Sequence, residues 1–199
     1  AELVENGISE ISLIGQNVNQ YGTDNNDIPF YTLLEKVANI KKLDRINFLT
    51  SHPKDFSIEI LEVMKDYPVI SRAIHLPLQS GSDKILESMN RKYSVKKYLH
   101  IIENIKKLIP HYALSTDLIV GFPGEAEEDF QNTLSVISEI EYDDAFMYAY
   151  SPREGTPAFD LQETLSRDEK IARLNELITL QRDISQKKLQ ESEEQRLRE

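Results

Sequence analysis

The sequence predicts an α/β protein built on parallel strands, and two observations carry that prediction. Short β-branched apolar runs alternate with amphipathic segments. The five runs start 35, 28, 40 and 31 residues apart, a spacing that suits βα units joined by right-handed crossovers. Polar residues also collect just after each run, where open α/β sheets and (β/α) barrels alike bind their ligands.

Taken in order, strands are expected at Glu10–Ile14, Arg45–Leu49, Ala73–Leu76, Ala113–Val120 and Asp144–Ala149. Helices are expected near Phe30–Ile40, Ile58–Lys65, Ser94–Ile109 and Glu125–Ile140. In the third of these, Val95, Leu99, Ile102, Ile105 and Ile109 make one apolar stripe; in the fourth, Phe130, Leu134 and Ile137 do. Glu125, Glu127, Glu128 and Asp129 crowd that helix's first turn, where the dipole favours negative charge. Ser82 is placed to cap a short helix through Glu87. Pro77 cannot serve a central strand, so the third strand is ended at Leu76 and Pro77-Leu78-Gln79-Ser80-Gly81 is given to a loop. After Ala149 the alternation stops. Ser151 to Pro157 reads as a loop, and Ser166 with Glu169 forms a capping-box signature for one long helix running toward Arg196. Its apolar positions Ile171, Leu174 and Ile178 fade after Leu189. The expected division is a core over 1–165 and a helix or linker over 166–199. Five strands in this order suit a doubly wound sheet or an incomplete (β/α) barrel, a full barrel needing about 250 residues.

Composition narrows the chemistry. The 199 residues carry 23 Lys+Arg against 34 Asp+Glu, a net charge of −11, and no cysteine. Disulfides, thiolate zinc sites, a cysteine nucleophile and a cysteine-held iron–sulfur cluster are therefore excluded within this chain. No apolar run approaches the roughly 20 residues of a membrane span. The opening Ala1–Gly7 lacks the basic and apolar regions of a signal peptide and reads as the tail of a helix inside a larger protein, so a cytoplasmic location is expected. An acidic chain binds nucleic acid poorly at large. Lys84 to Lys107 runs the other way, with seven Lys/Arg against Glu87 and Glu103; it is either a solvated helix face or a phosphate-facing patch.

The strand ends supply the candidate site. They carry Gln16 and Asn17 after the first strand, Ser51 and His52 after the second, and Gln79 and Ser80 after the third. The fourth carries Ser115 and Asp117 on one face and ends at Gly121-Phe122-Pro123-Gly124-Glu125; Arg153 follows the fifth. Amides, hydroxyls, an imidazole and a guanidinium suit a polar, heteroatom-rich ligand. Asp117 within an apolar strand calls for a partner such as Arg153. The histidines His52, His75, His100 and His111 show no close ligand spacing, and no metal site is assigned. Nucleophile-elbow, phosphate-loop and dinucleotide fingerprints are missing.

These blocks, Gly15-Gln16-Asn17-Val18-Asn19, Thr50-Ser51-His52-Pro53, Pro77-Leu78-Gln79-Ser80-Gly81-Ser82, Met89-Asn90-Arg91, Asp117 to Glu125 and Tyr150-Ser151-Pro152-Arg153-Glu154-Gly155-Thr156-Pro157, together resemble the radical S-adenosylmethionine (SAM) methylthiotransferases over roughly residues 1–185. The first two blocks are closest to the tRNA-modifying, MiaB-type branch; a branch acting on threonylcarbamoyl-adenosine shares the later ones. The resemblance implies a partial (β/α) barrel lacking its first strand, followed by a long C-terminal helix. It implies an enzyme that adds a methylthio group to isopentenylated adenosine next to the tRNA anticodon. Its cofactors would be SAM and iron–sulfur clusters whose cysteine ligands lie before Ala1, leaving this chain inactive alone. It implies SAM contacts from Gln16, Asn17, Ser51, His52, Gln79, Ser80, Asp117, Gly121, Gly124 and Arg153, while catalytic residues stay unassigned. Lys84, Arg91, Lys92, Lys96 and Lys97 would face tRNA, and the edge left by the missing strand would suit a dimer. Two other function classes stay open: a metal-dependent barrel hydrolase or lyase using His52, Asp117 and Glu125, and a non-catalytic tRNA-binding module.

Overall fold

A computed structural model describes residues 2–22, 27–49 and 52–198, with side chains described through residue 194. Strands pair as β1 (Glu10–Leu13) with β2 (Arg45–Phe48), and as β3 (Ala73–His75), β4 (Ala113–Val120) and β5 (Asp144–Ala149) in that order. The β1–β2 and β4–β5 pairs are parallel, and no pairing closes the strands into a ring among the described residues. Among the described residues seven α-helices accompany them: α1 (Glu2–Glu5), α2 (Phe30–Ala38), α3 (Ile58–Asp66), α4 (Asp83–Ser88), α5 (Val95–Leu108), α6 (Glu127–Ile140) and α7 (Arg167–Arg198). Every expected strand is present within a residue at either end, because the period-2 and period-3.6 patterns of apolar residues are local properties.

The chain forms two compact units, 1–76 with 96–114, and 77–95 with 115–199. In the first, Glu10 to Leu13 register against Arg45 to Phe48, and Ile46 exchanges backbone hydrogen bonds with the Val69–Ser71 segment. Leu34, Ile46, Ile60, Leu61 and Met64 are fully buried there, and Phe30 meets Phe48 edge-on at 5.5 Å. The buried face of α5 centres on Tyr98, Ile101, Ile102 and Ile105, a small rotation from the expected stripe. Tyr98 turns inward because its hydroxyl donates to the Leu76 carbonyl at 2.7 Å.

The second unit is organised on β4. Leu114, Thr116, Leu118 and Val120 are buried on one face, while Ser115, Asp117 and Ile119 on the other are half-buried. Pro77 does end β3, and the Thr116 hydroxyl accepts the Leu78 N–H at 2.9 Å beyond it. Gln79 then bridges to β4, donating to Asp117 O at 2.8 Å and accepting from Ile119 N at 3.0 Å. Tyr93 donates to Pro77 O and Leu78 O, and burial pushes its hydroxyl up to about 12. On α6 the buried set is Asp129, Phe130, Thr133, Val136, Ile137 and Ile140, with Leu134 only half-buried. Thr133 displaces it because its hydroxyl accepts the Gly81 N–H at 2.9 Å.

The helix α7 differs most from expectation. Ile171 and Ile178 stay exposed, while Lys170, Leu177, Gln181 and Ile184 are buried. The helix is turned because polar side chains find partners inside. Gln181 donates to Tyr142 O at 2.9 Å, and Lys170 reaches the Tyr150 carbonyl and Glu163.

Two polar staples fix the start of α6. Ser82 caps α4 and donates to Asp129 Oδ1 at 2.7 Å; Lys84 donates to Asp129 Oδ2 at 2.6 Å, and Ala126 N–H to the same oxygen at 2.9 Å. Burial alone would raise the Asp129 carboxyl, but the hydrogen bonds from Lys84, Ser82 and Ala126 outweigh it and hold the pKa below the ordinary aspartate value. The stabilisation is therefore present above that ordinary value and is lost as pH falls through the lowered one. Acid titration of wild type should show this loss beginning below about pH 4, and Asp129→Asn should lack that component. At neutral pH, Asp129→Ala should cost about 1–3 kcal/mol in denaturant unfolding. A Cβ on Gly81 would sit 2.5 Å from Thr133 Cα and 2.7 Å from Asn132 O, both backbone atoms. Gly81→Ala should accordingly destabilise the chain by about 1–3 kcal/mol, read as a lower denaturant midpoint.

Candidate functional site

The polar inner face of β4 and the end of β5 open onto a cavity of about 690 Å³ within the second unit. Asp117 and Ile119 of β4 line one side; Tyr148, Ala149 and Tyr150 line the next. The Ser151–Ala158 segment contributes Arg153 and Thr156. Gln79 enters from the segment that bridges β4, and Met89, Asn90 and Arg91 from the turn after α4. Register explains the shared face, since Asp117 stands opposite Phe146 and Ile119 opposite Tyr148.

Two buried polar atoms here have no hydrogen-bond partner among the described residues: Gln79 Oε1 and Arg91 Nε. Gln79 is only 7% exposed. Its backbone is held left-handed, at φ +67°, with both N–H and C=O bound to β4, so little but the side chain is free to adjust. Asn90 at φ +56° closes α4, its N–H donating to Glu87 O, and thereby turns Arg91 toward the cavity. Phe122 and Tyr150 meet edge-on at 5.0 Å and give the cavity an aromatic wall. An acceptor without a donor, two guanidinium groups, a half-buried carboxylate and an aromatic wall suit a nucleoside with a charged tail. The volume lies in the usual range for small-molecule sites.

The expected site residues are distributed as follows. Gln79, Asp117 and Arg153 line this cavity. Ser80 is fully buried behind it, within 3.4 Å of the Thr133 hydroxyl. Gly121 is buried at the end of β4, at φ +71°, and its N–H donates to Glu125 Oε1 at 2.8 Å. Gly124 lies at the surface; its carbonyl accepts from Lys84, and its N–H donates to Thr164 Oγ1 at 3.2 Å. Gln16 and Asn17 belong to the first unit and line a separate cavity of about 360 Å³ there. Asn17 and Gln20 both donate to Asp55 Oδ2, at 2.7 and 3.1 Å, and Asn17 Oδ1 is buried without a hydrogen-bond partner among the described residues. His52, also in the first unit, accepts the Lys54 N–H on Nδ1 at 3.2 Å. Ser51 lies outside the described residues.

Arg91 is a cavity residue that sequence reasoning had grouped with the basic patch. The signal for it was Asn90, a residue that tolerates the left-handed turn at a helix end. Lys84 is engaged at Asp129 and Gly124, and Lys97 at Lys54 O (2.7 Å); Lys92 and Lys96 are exposed. Glu125 does not face the cavity. It is 3% exposed and bound by Arg173 at 2.6 Å; burial raises its pKa, opposed by its bonds to Gly121 and Arg173. That arrangement withdraws Glu125 from a metal-ligand set, and no group of three or more His, Asp or Glu able to hold a metal occurs among the described residues. No described helix is long and apolar enough to cross a membrane.

Comparison with known proteins agrees with this architecture. A protein from Sulfurihydrogenibium sp. (strain YO3AOP1), named tRNA-2-methylthio-N(6)-dimethylallyladenosine synthase, is 54% identical over 186 residues, covering 94% of this chain and 43% of that relative. A protein of the same name from Clostridium botulinum is 49% identical over 188 residues, with 94% and 42% covered. The chain thus spans about four-tenths of the length of these curated relatives. Among solved structures, Escherichia coli coproporphyrinogen III oxidase (HemN), a radical SAM enzyme, superposes with a TM-score of 0.67 at 15% identity, covering 89% of this chain and 41% of that one. Methylornithine synthase (PylB) superposes with a TM-score of 0.56 at 17% identity, covering 88% and 49%. The family model for the radical SAM superfamily matches residues 1–137, from α1 through most of α6, and on that match the chain belongs to the radical SAM superfamily.

Proposed function

We propose that this chain is the central segment of a tRNA-modifying methylthiotransferase, and that the cavity of the second unit holds SAM. The supporting observation is the identity of 54% and 49% to proteins named for methylthiolation of dimethylallyladenosine in tRNA, extending across 94% of the chain. The parent enzyme would add a methylthio group to isopentenylated adenosine next to the anticodon, in the cytoplasm. When bound, SAM supplies the radical chemistry and the methyl group.

The chain's own residues bind and orient. Gln79 Oε1 would accept from a ribose hydroxyl, satisfying an acceptor that otherwise carries a desolvation cost of about 1–3 kcal/mol. Asp117, on the adjoining strand, would accept from the same sugar. Arg91 and Arg153 supply cations for the carboxylate of the amino-acid tail. Phe122 and Tyr150 would give the adenine an apolar aromatic wall. Ser80 and Gly121 act from behind, by holding Gln79 and the end of β4. For Gln16, Asn17, Ser51, His52 and Gly124 the assignment to SAM rests on the family resemblance.

The iron–sulfur cluster does not fit this chain. Thiolate ligands are required, and the chain has no cysteine. The ligands would come from sequence outside residues 1–199. Reconstitution of this chain with iron and sulfide under anaerobic conditions should leave no visible cluster absorbance; a stable cluster signal would refute the assignment.

The catalytic reading is tested with the longer protein containing this chain. Incubated with SAM, a reductant and tRNA bearing isopentenyl-adenosine, it should yield the 2-methylthio nucleoside by mass spectrometry. Product from threonylcarbamoyl-adenosine alone would assign it to the other branch. In the same protein, Gln79→Ala and Asp117→Ala should each weaken SAM binding about tenfold or more by calorimetry, with the fold retained. Unchanged affinity in both would place SAM elsewhere.

A further inference from the structure

We propose that Lys170 is a positioning residue for the cavity: its buried ammonium pins the end of β5 and the segment after it against the glycine turn that ends β4. The proposal rests on the cavity being the ligand site, and its test separates the two.

Lys170 lies in the first turn of α7 and is 5% exposed. Lysine is rarely buried to this degree without a charge partner. Its stem runs across Gly121, where a Cβ would come within 2.5 Å of Lys170 Cγ, so a glycine at this left-handed position is what admits the side chain. The ammonium pairs with Glu163, donates to the Tyr150 carbonyl at 3.4 Å, and lies 5.3 Å from the centre of the Tyr150 ring. Tyr150 in turn donates its hydroxyl to Ala158 O at 2.8 Å and packs on Phe122. One cation thereby ties together the aromatic wall and both ends of the segment that carries Arg153.

Otherwise that segment is held by the Gly124 N–H on Thr164 Oγ1 and by short-range bonds within itself, such as Thr156 to Arg153 O. Residues 151–166 are nearly all exposed and contain only one short 3-10 turn, Pro157–Asp160. An exposed segment of this kind opens locally at low cost unless specific contacts hold it. A turn further along α7, Arg173 donates to Glu125, which accepts the Gly121 N–H. The glycine turn against which Lys170 bears is thus itself fixed from the same helix. An apolar side chain of the same length would fill the space over Gly121 without the desolvation penalty of a charge. What the ammonium adds is the orientation of Tyr150 and Glu163.

The test compares Lys170→Met, which keeps the stem and removes the charge, with Lys170→Arg, which keeps the charge. Amide hydrogen exchange is followed over 150–163, with α6 as internal control, and S-adenosylhomocysteine affinity is measured on the same 199-residue chains. Lys170→Met should speed exchange over 150–163 about tenfold while α6 is unchanged. It should also weaken the nucleoside about fivefold, and Lys170→Arg should recover both. Wild-type exchange and affinity in Lys170→Met overturn the proposal. So does faster exchange spread equally over α6, which marks a merely structural residue. If wild type fails to bind S-adenosylhomocysteine while the exchange effect stays confined to 150–163, the pin is supported and the SAM assignment is what fails.

Discussion

The backbone ladder of β4 is the constraint on which the second unit depends. Its buried face, Leu114, Thr116, Leu118 and Val120, commits one side of the strand to the interior. A parallel strand with one face so committed has no freedom of register, since a slip of one residue would bury Asp117 and expose Leu118. The bridge to Gln79 and the pairing with β5 then follow from the same ladder. Gln79 is left with a left-handed backbone bound on both sides to β4 and a side chain that lines the cavity.

Most buried polar groups of this unit are satisfied in pairs. Ser82 meets Asp129 and Glu125 meets Arg173, while Gln181 donates to Tyr142 O but leaves its Oε1 unmet, away from the cavity. Against that background the unmet Gln79 Oε1 and Arg91 Nε stand out, and both belong to the same cavity. Folded proteins seldom leave such atoms without partners, so their coincidence at the end of a strand is physical evidence for a ligand. The polar staples at α6 carry the opposite meaning. Asp129, conspicuous in sequence as a first-turn acid, closes a structural network with Ser82, Lys84 and the Ala126 N–H.

The elements were legible because periodicity and caps act over a few residues. The expected β4 and β5 coincide with those observed, and Ser82 and Ser166 cap the helices assigned to them. The face of α7 was not legible. Its apolar residues Ile171 and Ile178 suggest one stripe, yet burial follows Lys170 and Gln181, whose partners lie 20 and 39 positions away in the chain. Hydrophobicity alone cannot announce a buried lysine, because the compensating Glu163 and Tyr150 carbonyl are visible only once the chain has folded. Arg91 was hidden for a related reason: among neighbouring lysines it reads as surface charge, and only the turn at Asn90 carries it inward.

By itself the sequence determined the α/β class, the order and limits of the strands, the polar character of their ends and the lack of thiolate ligands within these 199 residues. Each of these depends on residue type or on spacing within one element. Tertiary structure alone decided which strand-end residues share a cavity, which polar atoms within it go unsatisfied, and that a buried cation on the last helix stands behind its aromatic wall. Those are facts about groups distant in the chain, brought together by strand pairing and helix packing and fixed by desolvation, which acts only when water has been excluded.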